Sequence, residues 1–189
     1  MTRPALVPPD VMTTAFRAAL GAFASGVTVV TTRVDGEPYG MTVSAFCSLS
    51  LDPPLVLVCL SNGGRGQELI ARRGRFCVNV LSAHQGPVAR LFADRDRPRG
   101  AGAFDGVPHR PGVTGSPVLL GTVAHLDCEV GQLHEAGDHA IVVGAVVAAA
   151  CTPHAAPLVA HRREFRALAD VSEPRSAPLT LVRQPGARP

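Results

Sequence analysis

The sequence predicts a mainly β protein with small helices, folded as a closed antiparallel barrel. Three observations predict this class. Many apolar, β-branched stretches follow one another along the 189 residues, short turns join most of them, and only small helices lie between them. There are no repeated βα units, and no G-x-G-x-x-G fingerprint follows a first strand. A Rossmann domain is therefore excluded.

The N-terminal part predicts one helix and then a meander of strands. Asp10 is the expected N-cap, and an apolar side is marked by Val11, Ala15, Leu20 and Phe23. Asp35-Gly36 is a strong hairpin signal, and Asp52-Pro53-Pro54 ends the return strand. The strands predicted here are 27–34, 37–51 and 55–60, the last apolar on both faces.

The remaining chain predicts two short helices, a long loop and four strands. The helices are expected at 67–73 and 86–92, and the loop, rich in Pro, Gly and Arg, at 93–116. Loops of this length in a compact domain are often functional lids or partner contacts. The strands are expected at 75–81, 117–133, 139–151 and 156–161. The predicted domain spans 1–171, and residues 172–189 are expected to form a polar, disordered tail.

Composition excludes several classes of function. A formal net charge of +3 without a cluster of positive charge argues against a nucleic-acid or membrane-binding surface. The arginine-rich stretch 90–99 is interpreted as solvated surface whose acids partly balance its bases. The five cysteines are scattered and form no C-x-x-C pair, which predicts buried, reduced thiols in a cytoplasmic protein. We find no signal peptide, and the longest apolar run is shorter than the ~20 residues of a membrane span.

The segment 59–70, "CLSNGGRGQELI", is the first candidate site. A buried strand enters a glycine-rich turn that opens a helix, which directs unpaired backbone N–H groups and the positive end of the helix dipole to one point. Arg65 could add a bidentate contact to a phosphate. The alternative is an ordinary tight turn without a ligand. A Walker loop is excluded because no Gly-Lys-Ser/Thr follows.

The segment 41–54, "MTVSAFCSLSLDPP", is the second. In a continuous strand Thr42, Ser44, Phe46 and Ser48 would share one face. A row of small hydroxyls suits a slim pocket that hydrogen-bonds a flat polar heterocycle. The same residues could instead meet cross-strand partners or solvent.

The segment 134–139, "HEAGDH", is the third. A zinc-protease site is excluded because its two histidines are five apart, not four, and Gly137-Asp138 would break a helix, so no metal is expected. Gly137-Asp138 instead predicts a tight turn ordered by Asp138, after which His139 opens a strand. The ring of His139 either faces the barrel mouth or caps the strand structurally.

Together these segments resemble the flavin reductase-like family, whose fold is the FMN-binding split barrel, an antiparallel Greek-key barrel. The resemblance covers roughly residues 16–168 and depends on "FASGVTVVTT", "GMTVSAFCSLSLDPPLVLVCL", "GRFCVNVL", "GDH" and "PLVAHRREFRAL" in this order. It implies a homodimer that transfers a hydride from NADH or NADPH to FMN or FAD and supplies reduced flavin to a partner monooxygenase. The alternative is a flavin- or haem-binding barrel without turnover, acting as a carrier or sensor.

The resemblance also implies site residues. His139 would be the catalytic residue, placing the nicotinamide for hydride transfer. The flavin-binding residues it implies are Met41, Thr42, Val43, Ser44, Ala45, Ser48, Leu60, Ser61, Asn62, Gly64, Arg65, Gly66 and Phe92, together with His139.

The chain departs from the family pattern at two places. The phosphate turn usually carries serines and threonines, whereas Gly63, Gly64 and Gly66 stand here, so backbone N–H groups and Arg65 would replace the hydroxyls. Near the end, Ala160 and His161 replace an aromatic pair on the nicotinamide side.

Overall fold

The computed structural model describes residues 9–168, with side chains from Thr13 onward. The predicted tail, 172–189, lies outside the described residues. The first helix, α1, spans Pro9–Ala22, so Asp10 lies in its first turn and does not cap it. Phe23 lies beyond the helix and its side chain is exposed, as is that of Leu20. The expected apolar side of α1 therefore does not join the core through these two residues.

Twelve strands and three α-helices make up the described chain. The helices after α1 are α2, Arg65–Arg73, and α3, Gly86–Ala93, and a short 3-10 helix covers Gly100–Phe104. The strands are β1 Ser25–Gly26, β2 Thr28–Val34, β3 Glu37–Val43, β4 Phe46–Leu51, β5 Pro54–Ser61, β6 Arg75–Val80, β7 His109–Pro111, β8 Pro117–Leu119, β9 Ala124–Ala136, β10 His139–Cys151, β11 Leu158–His161 and β12 Glu164–Ala167.

A seven-stranded antiparallel sheet in the order β3-β2-β6-β9-β10-β5-β4 forms the body of the fold. Its edge strands, β3 and β4, are consecutive in the chain and are joined only by Ser44 and Ala45. The sheet must curl to bring its edges this close, yet within residues 9–168 no ladder pairs β3 with β4. The split-barrel fold is confirmed, whereas full closure of the barrel is wrong.

The break at Ser44–Ala45 corrects the expected single strand over 37–51. The Phe46 N–H donates to the Ser44 carbonyl at 3.0 Å, which forms a tight turn, and the Cys59 N–H donates to the Ala45 carbonyl at 3.0 Å. Side-chain alternation therefore does not continue from Thr42 to Ser48. The row of hydroxyls is divided between two edges of the sheet.

Short turns confirm the two predicted hairpins. Asp35 and Gly36 both have positive φ, at 52° and 82°, which is the type I′ geometry that a two-residue hairpin loop needs. Gly137, with φ of 67°, and Asp138 join β9 to β10 directly. The predicted strand 117–133 is divided into β8 and β9, and the short strands β7 and β12 carry no strong pattern in the sequence.

Two clusters of buried side chains form the core. One fills the curled sheet and contains Val30, Val58 and Phe76. The other lies beneath α3 and the 3-10 helix and contains Phe92 and Phe104, whose ring centroids are 5.1 Å apart. The second cluster therefore fixes the loop that follows α3 against the sheet.

The long loop is also held by a buried carboxylate. Asp127, 1% exposed on β9, accepts hydrogen bonds from the Thr114 backbone N–H at 2.9 Å and from the Thr114 hydroxyl. Asp127 Oδ2 lies so close to Gly112 that a Cβ there would be 2.3 Å away. These contacts give the loop one conformation over the sheet.

Four of the five cysteines divide into two groups, and Cys59 is partly buried. Cys77 and Cys128 are buried, and burial, followed by the charge of Asp127, raises the pKa of both thiols, to about 12 for Cys128. Cys47 and Cys151 are exposed, so the expectation that the thiols are buried is wrong for them. Cys77 on β6 and Cys128 on β9 lie within the curled sheet, whereas Cys151 is the last residue of β10.

Candidate functional site

An open cavity of about 660 Å³ lies beside the divided edge of the sheet. Strand β3, the end of β5, the first turn of α2 and the loop after α3 line it. Its size is that of a cofactor-binding cleft. No side chain plugs it.

The glycine turn between β5 and α2 forms one wall. Gly63 has φ of +66°, and Gly64 is the N-cap of α2, without a side-chain cap. The first intrahelical bond runs from the Glu68 N–H to the Gly64 carbonyl, so the helix supplies no acceptor for the N–H groups of residues 65–67. All three of these residues line the cavity. A phosphate group fits this wall, because unpaired N–H groups at a helix start bind anions.

Gly66 is closely packed at the start of α2. A Cβ there would be 2.2 Å from the Met41 sulfur and 3.1 Å from the Tyr39 ring. Strand β3 therefore lies directly against the glycine turn. The two walls of the cavity are in contact here.

Nine of the expected flavin-binding residues line this cavity: Met41, Thr42, Ser44, Leu60, Ser61, Asn62, Gly64, Arg65 and Gly66. The Thr42 hydroxyl donates to the Ala89 carbonyl at 2.7 Å, so it also fastens β3 to α3. Ser44 is exposed at the mouth.

The other expected residues lie elsewhere. Val43 is 8% exposed and belongs to the core, while Ala45 and Ser48 are exposed outside the cavity. Phe92, 1% exposed, packs beneath Gly40, where a Cβ would lie 2.7 Å from its ring. Phe92 therefore supports the floor of the cavity from below.

His139 lies at the rim, beside Ser61. The two residues are opposite each other on β10 and β5, and His139 Nε2 is 3.4 Å from Ser61 Oγ. The other ring nitrogen, Nδ1, is 2.8 Å from Asp138 Oδ1. This hydrogen bond and the nearby imidazole charge lower the pKa of the Asp138 carboxyl. The side chain of His139 is 45% exposed, so the ring is accessible from solvent.

Asn62 joins the glycine turn to the turn that carries His139. Its backbone N–H donates to the Asp138 carbonyl at 3.0 Å, and its side-chain Nδ2 donates to the Gly137 carbonyl at 2.9 Å. The side-chain donor is thus committed to the protein. Asn62 acts here as the residue that positions the 137–139 turn.

Sequence reasoning missed the arginine wall. Arg95, Arg97 and Arg99 line the cavity, which the interpretation of 90–99 as solvated surface did not include, although Arg95 and Arg99 are exposed as that interpretation expects. Tyr39, the only tyrosine of the chain, was missed as well. The length of the loop was the one available signal, because only the tertiary fold brings the loop to the cavity.

Residues 9–168 contain neither a metal-binding cluster nor a membrane-spanning helix. No three His, Cys, Asp or Glu side chains in this part of the chain are grouped so that they could hold a metal ion. Among the helices of residues 9–168, none has the length and apolar character needed to cross a bilayer.

Comparison with known proteins decides the family. The model of the flavin reductase like domain matches residues 20–169. The chain belongs to the flavin reductase-like family. The resemblance to this family that the sequence motifs indicated is thereby confirmed.

Two relatives within the flavin reductase-like family are reductases. The chain is 43% identical over 171 residues to a flavin reductase (NADH) of Kitasatospora aureofaciens, covering 88% of this chain and 87% of the relative. It is 41% identical over 142 residues to the flavin-dependent monooxygenase reductase subunit HsaB of Mycobacterium tuberculosis, covering 75% and 74%.

A solved structure of the same family has a similar fold. The NADH:FAD oxidoreductase SgcE6 of Streptomyces globisporus, in complex with NAD and FAD fragments, is 37% identical and superimposes with a TM-score of 0.81. The alignment covers 90% of this chain and 100% of that one.

Proposed function

We propose that this protein is an NAD(P)H-dependent flavin reductase that transfers a hydride from NADH or NADPH to FMN or FAD. The family and the named relatives confirm the reductase activity predicted from the sequence. The observation that carries the proposal is the open cavity beside the glycine turn, with His139 outside its lining but next to Ser61, which lines it. Reductase subunits among the relatives support a partner monooxygenase as the consumer of the reduced flavin.

The residues of the cavity have separable tasks. When bound, the flavin supplies the hydride acceptor and the nicotinamide the donor. The N–H groups at the start of α2 and the Arg65 guanidinium hold the flavin phosphate. Met41 and Leu60 give apolar walls, and the pair of Ser61 and His139 orients the nicotinamide at the rim.

A turnover assay tests this function. Purified protein is mixed anaerobically with NADH and an excess of FMN or FAD, and loss of the oxidised-flavin absorbance is followed. We expect each chain to reduce many equivalents of flavin. Reduction that stops at one equivalent per chain would instead indicate the carrier or sensor without turnover.

The phosphate role of Arg65 gives a first prediction. Arg65→Gln is expected to raise the KM for FMN by about fivefold, because one exposed arginine–phosphate contact is lost. Riboflavin has no phosphate and should be unaffected. Arg73→Gln, at the other end of α2, is the matched control. Equal losses for FMN and riboflavin would remove Arg65 from the phosphate site.

We propose further that the protein is a homodimer formed through the outer face of β4, β5 and β10. Residues that pair across neighbouring strands point to the same face of the sheet. Val56, Val58 and Leu60 point to the other face, into the core. The face ends at Ser61 and His139, next to the cavity. Its apolar members are Cys47, Leu55, Leu57, Cys59, Ile141, Val143 and Ala145.

Thiol labelling tests this arrangement, because exposed cysteines lie on and off the face. Cys47 belongs to the face and Cys151 does not. In the assembled protein we expect a thiol reagent to label Cys151 quickly and Cys47 at least about tenfold more slowly, with Cys77 and Cys128 protected until unfolding. Equal rates for Cys47 and Cys151, measured by mass spectrometry, would contradict the proposed interface.

A further inference from the structure

The charged side chains that line the cavity are all of one sign, and a neighbouring carboxylate, that of Glu37, accepts the Ala101 backbone N–H. Four arginines line it, Arg65, Arg95, Arg97 and Arg99, and its lining includes no Asp, Glu or Lys. Such a lining attracts an anion with more than one charge, because low-dielectric walls focus the field of like charges. The glycine turn with Arg65 accounts for one phosphate. Three arginines of the loop after α3 are left to explain.

Arg97 is already committed to the protein. Its guanidinium donates to the Gly40 carbonyl on the outer edge of β3 and to the Asp94 carbonyl. It also lies over the Tyr39 ring, 5.4 Å from the centroid. Arg97 therefore fastens the loop to the edge strand.

Arg95 and Arg99 have no such partners. Neither forms an ion pair within residues 9–168, and the nearby Asp94 carboxylate accepts the Asp96 backbone N–H at 2.9 Å. Both line the cavity. In the sequence, one precedes Arg97 and the other follows it. The loop acids thus do not neutralise these two guanidinium groups.

Tyr39 places the arginine wall beside the phosphate wall. Its ring is close enough to Gly66 that a Cβ there would be 3.1 Å away, and the Arg97 guanidinium covers the same ring. The Tyr39 ring is therefore close both to the start of α2 and to the Arg97 guanidinium, so the two positive regions are neighbours along the cavity. Adjacent phosphates of a diphosphate can contact both, whereas a single phosphate at the glycine turn leaves the arginines unused.

We propose that Arg95 and Arg99 form a second phosphate subsite and that FAD is the preferred flavin. This inference depends on the proposed reductase function for the orientation of the flavin. The first phosphate lies at the glycine turn and the second between the two guanidinium groups, whose forked donors match phosphate oxygens. The adenosine half then extends along the loop after α3.

Equilibrium binding tests the subsite independently of turnover. Dissociation constants for FAD, FMN and riboflavin are measured by titration for the wild type, for R95Q/R99Q and for the charge-matched control R17Q/R73Q, whose exposed arginines lie outside the cavity. We expect the wild type to bind FAD about tenfold more tightly than FMN, and R95Q/R99Q to lose this difference by weakening FAD alone. Added salt should weaken FAD binding more in the wild type than in R95Q/R99Q. The control should match the wild type.

Several results would overturn the subsite. One is a wild type that binds FAD no more tightly than FMN; another is an equal loss of FAD and FMN binding in R95Q/R99Q. A third is weaker NAD⁺ binding in R95Q/R99Q with FAD unchanged, which would assign the arginines to the nicotinamide dinucleotide. NADH-driven reduction of riboflavin separates this inference from the proposed function. Riboflavin turnover without FAD preference rejects only the subsite, whereas FAD preference without any turnover rejects only the reductase.

Discussion

Replacing His139 with alanine is expected to lower the rate of NADH-driven flavin reduction by about 100-fold while the fold stays intact. Hydride transfer needs the donor carbon of the nicotinamide aligned with the acceptor nitrogen of the flavin, and loss of alignment by about 1 Å costs this much. The ring of His139 is held at the rim by Asp138 at 2.8 Å and by Ser61 at 3.4 Å, so its position is fixed before the nicotinamide arrives. Stopped-flow measurement of flavin reduction under anaerobic conditions, at saturating flavin, gives the rate.

His134 provides the control for this substitution. It lies on the same β9–β10 hairpin and is exposed, and its Nε2 is 2.9 Å from Gln132 Oε1, away from Ser61. His134→Ala should leave the rate unchanged. Asp138→Asn keeps an oxygen opposite His139 Nδ1 but removes the charge, so a smaller loss than that of His139→Ala is expected. An unchanged rate in His139→Ala would show that the histidine takes no part in the reaction.

Local sequence signals predicted those parts of the fold that depend on neighbouring residues. Asp35-Gly36 and Gly137-Asp138 form their turns because the backbone there needs positive φ, which glycine tolerates without cost. The break at Ser44–Ala45 escaped prediction because both flanking stretches alternate as one strand would. What divides them is the curl of the sheet, which sends β3 and β4 to opposite edges.

The candidate site shows the same division between local and tertiary signals. The glycine turn and its helix are contiguous, so their arrangement at the cavity could be predicted from residues 61–66 alone. Arg95 and Arg99 lie at the cavity because tertiary contacts hold their loop there, among them the bond from Arg97 to Gly40, 57 residues earlier in the chain. Phe92 is similar: its burial beneath Gly40 depends on the packing of α3 across β3. No periodic pattern in the sequence predicts these contacts.

The largest loss of stability is expected from Asn79→Ala. Asn79 is fully buried on β6, where its Nδ2 donates to the Val29 carbonyl at 3.0 Å and to the Thr31 hydroxyl at 3.1 Å. Its Oδ1 accepts the Leu119 N–H at 2.8 Å, which connects the sheet to β8. Alanine would leave these buried groups unpaired, so we expect the free energy of unfolding to fall by about 3 kcal/mol. Urea denaturation followed by circular dichroism measures this change.

Asn62, the only other asparagine of the chain, gives a matched control for the same substitution. Its side chain is exposed at the cavity, so water can replace the bond that Asn62→Ala removes from the Gly137 carbonyl. We expect the free energy of unfolding to change by less than about 1 kcal/mol, because the lost bond is solvated. The rate of flavin reduction should nevertheless fall, since the turn that carries His139 loses one of its two links to Asn62. A loss of stability in Asn79→Ala no larger than that in Asn62→Ala would show that the buried network does not hold β8 to the sheet.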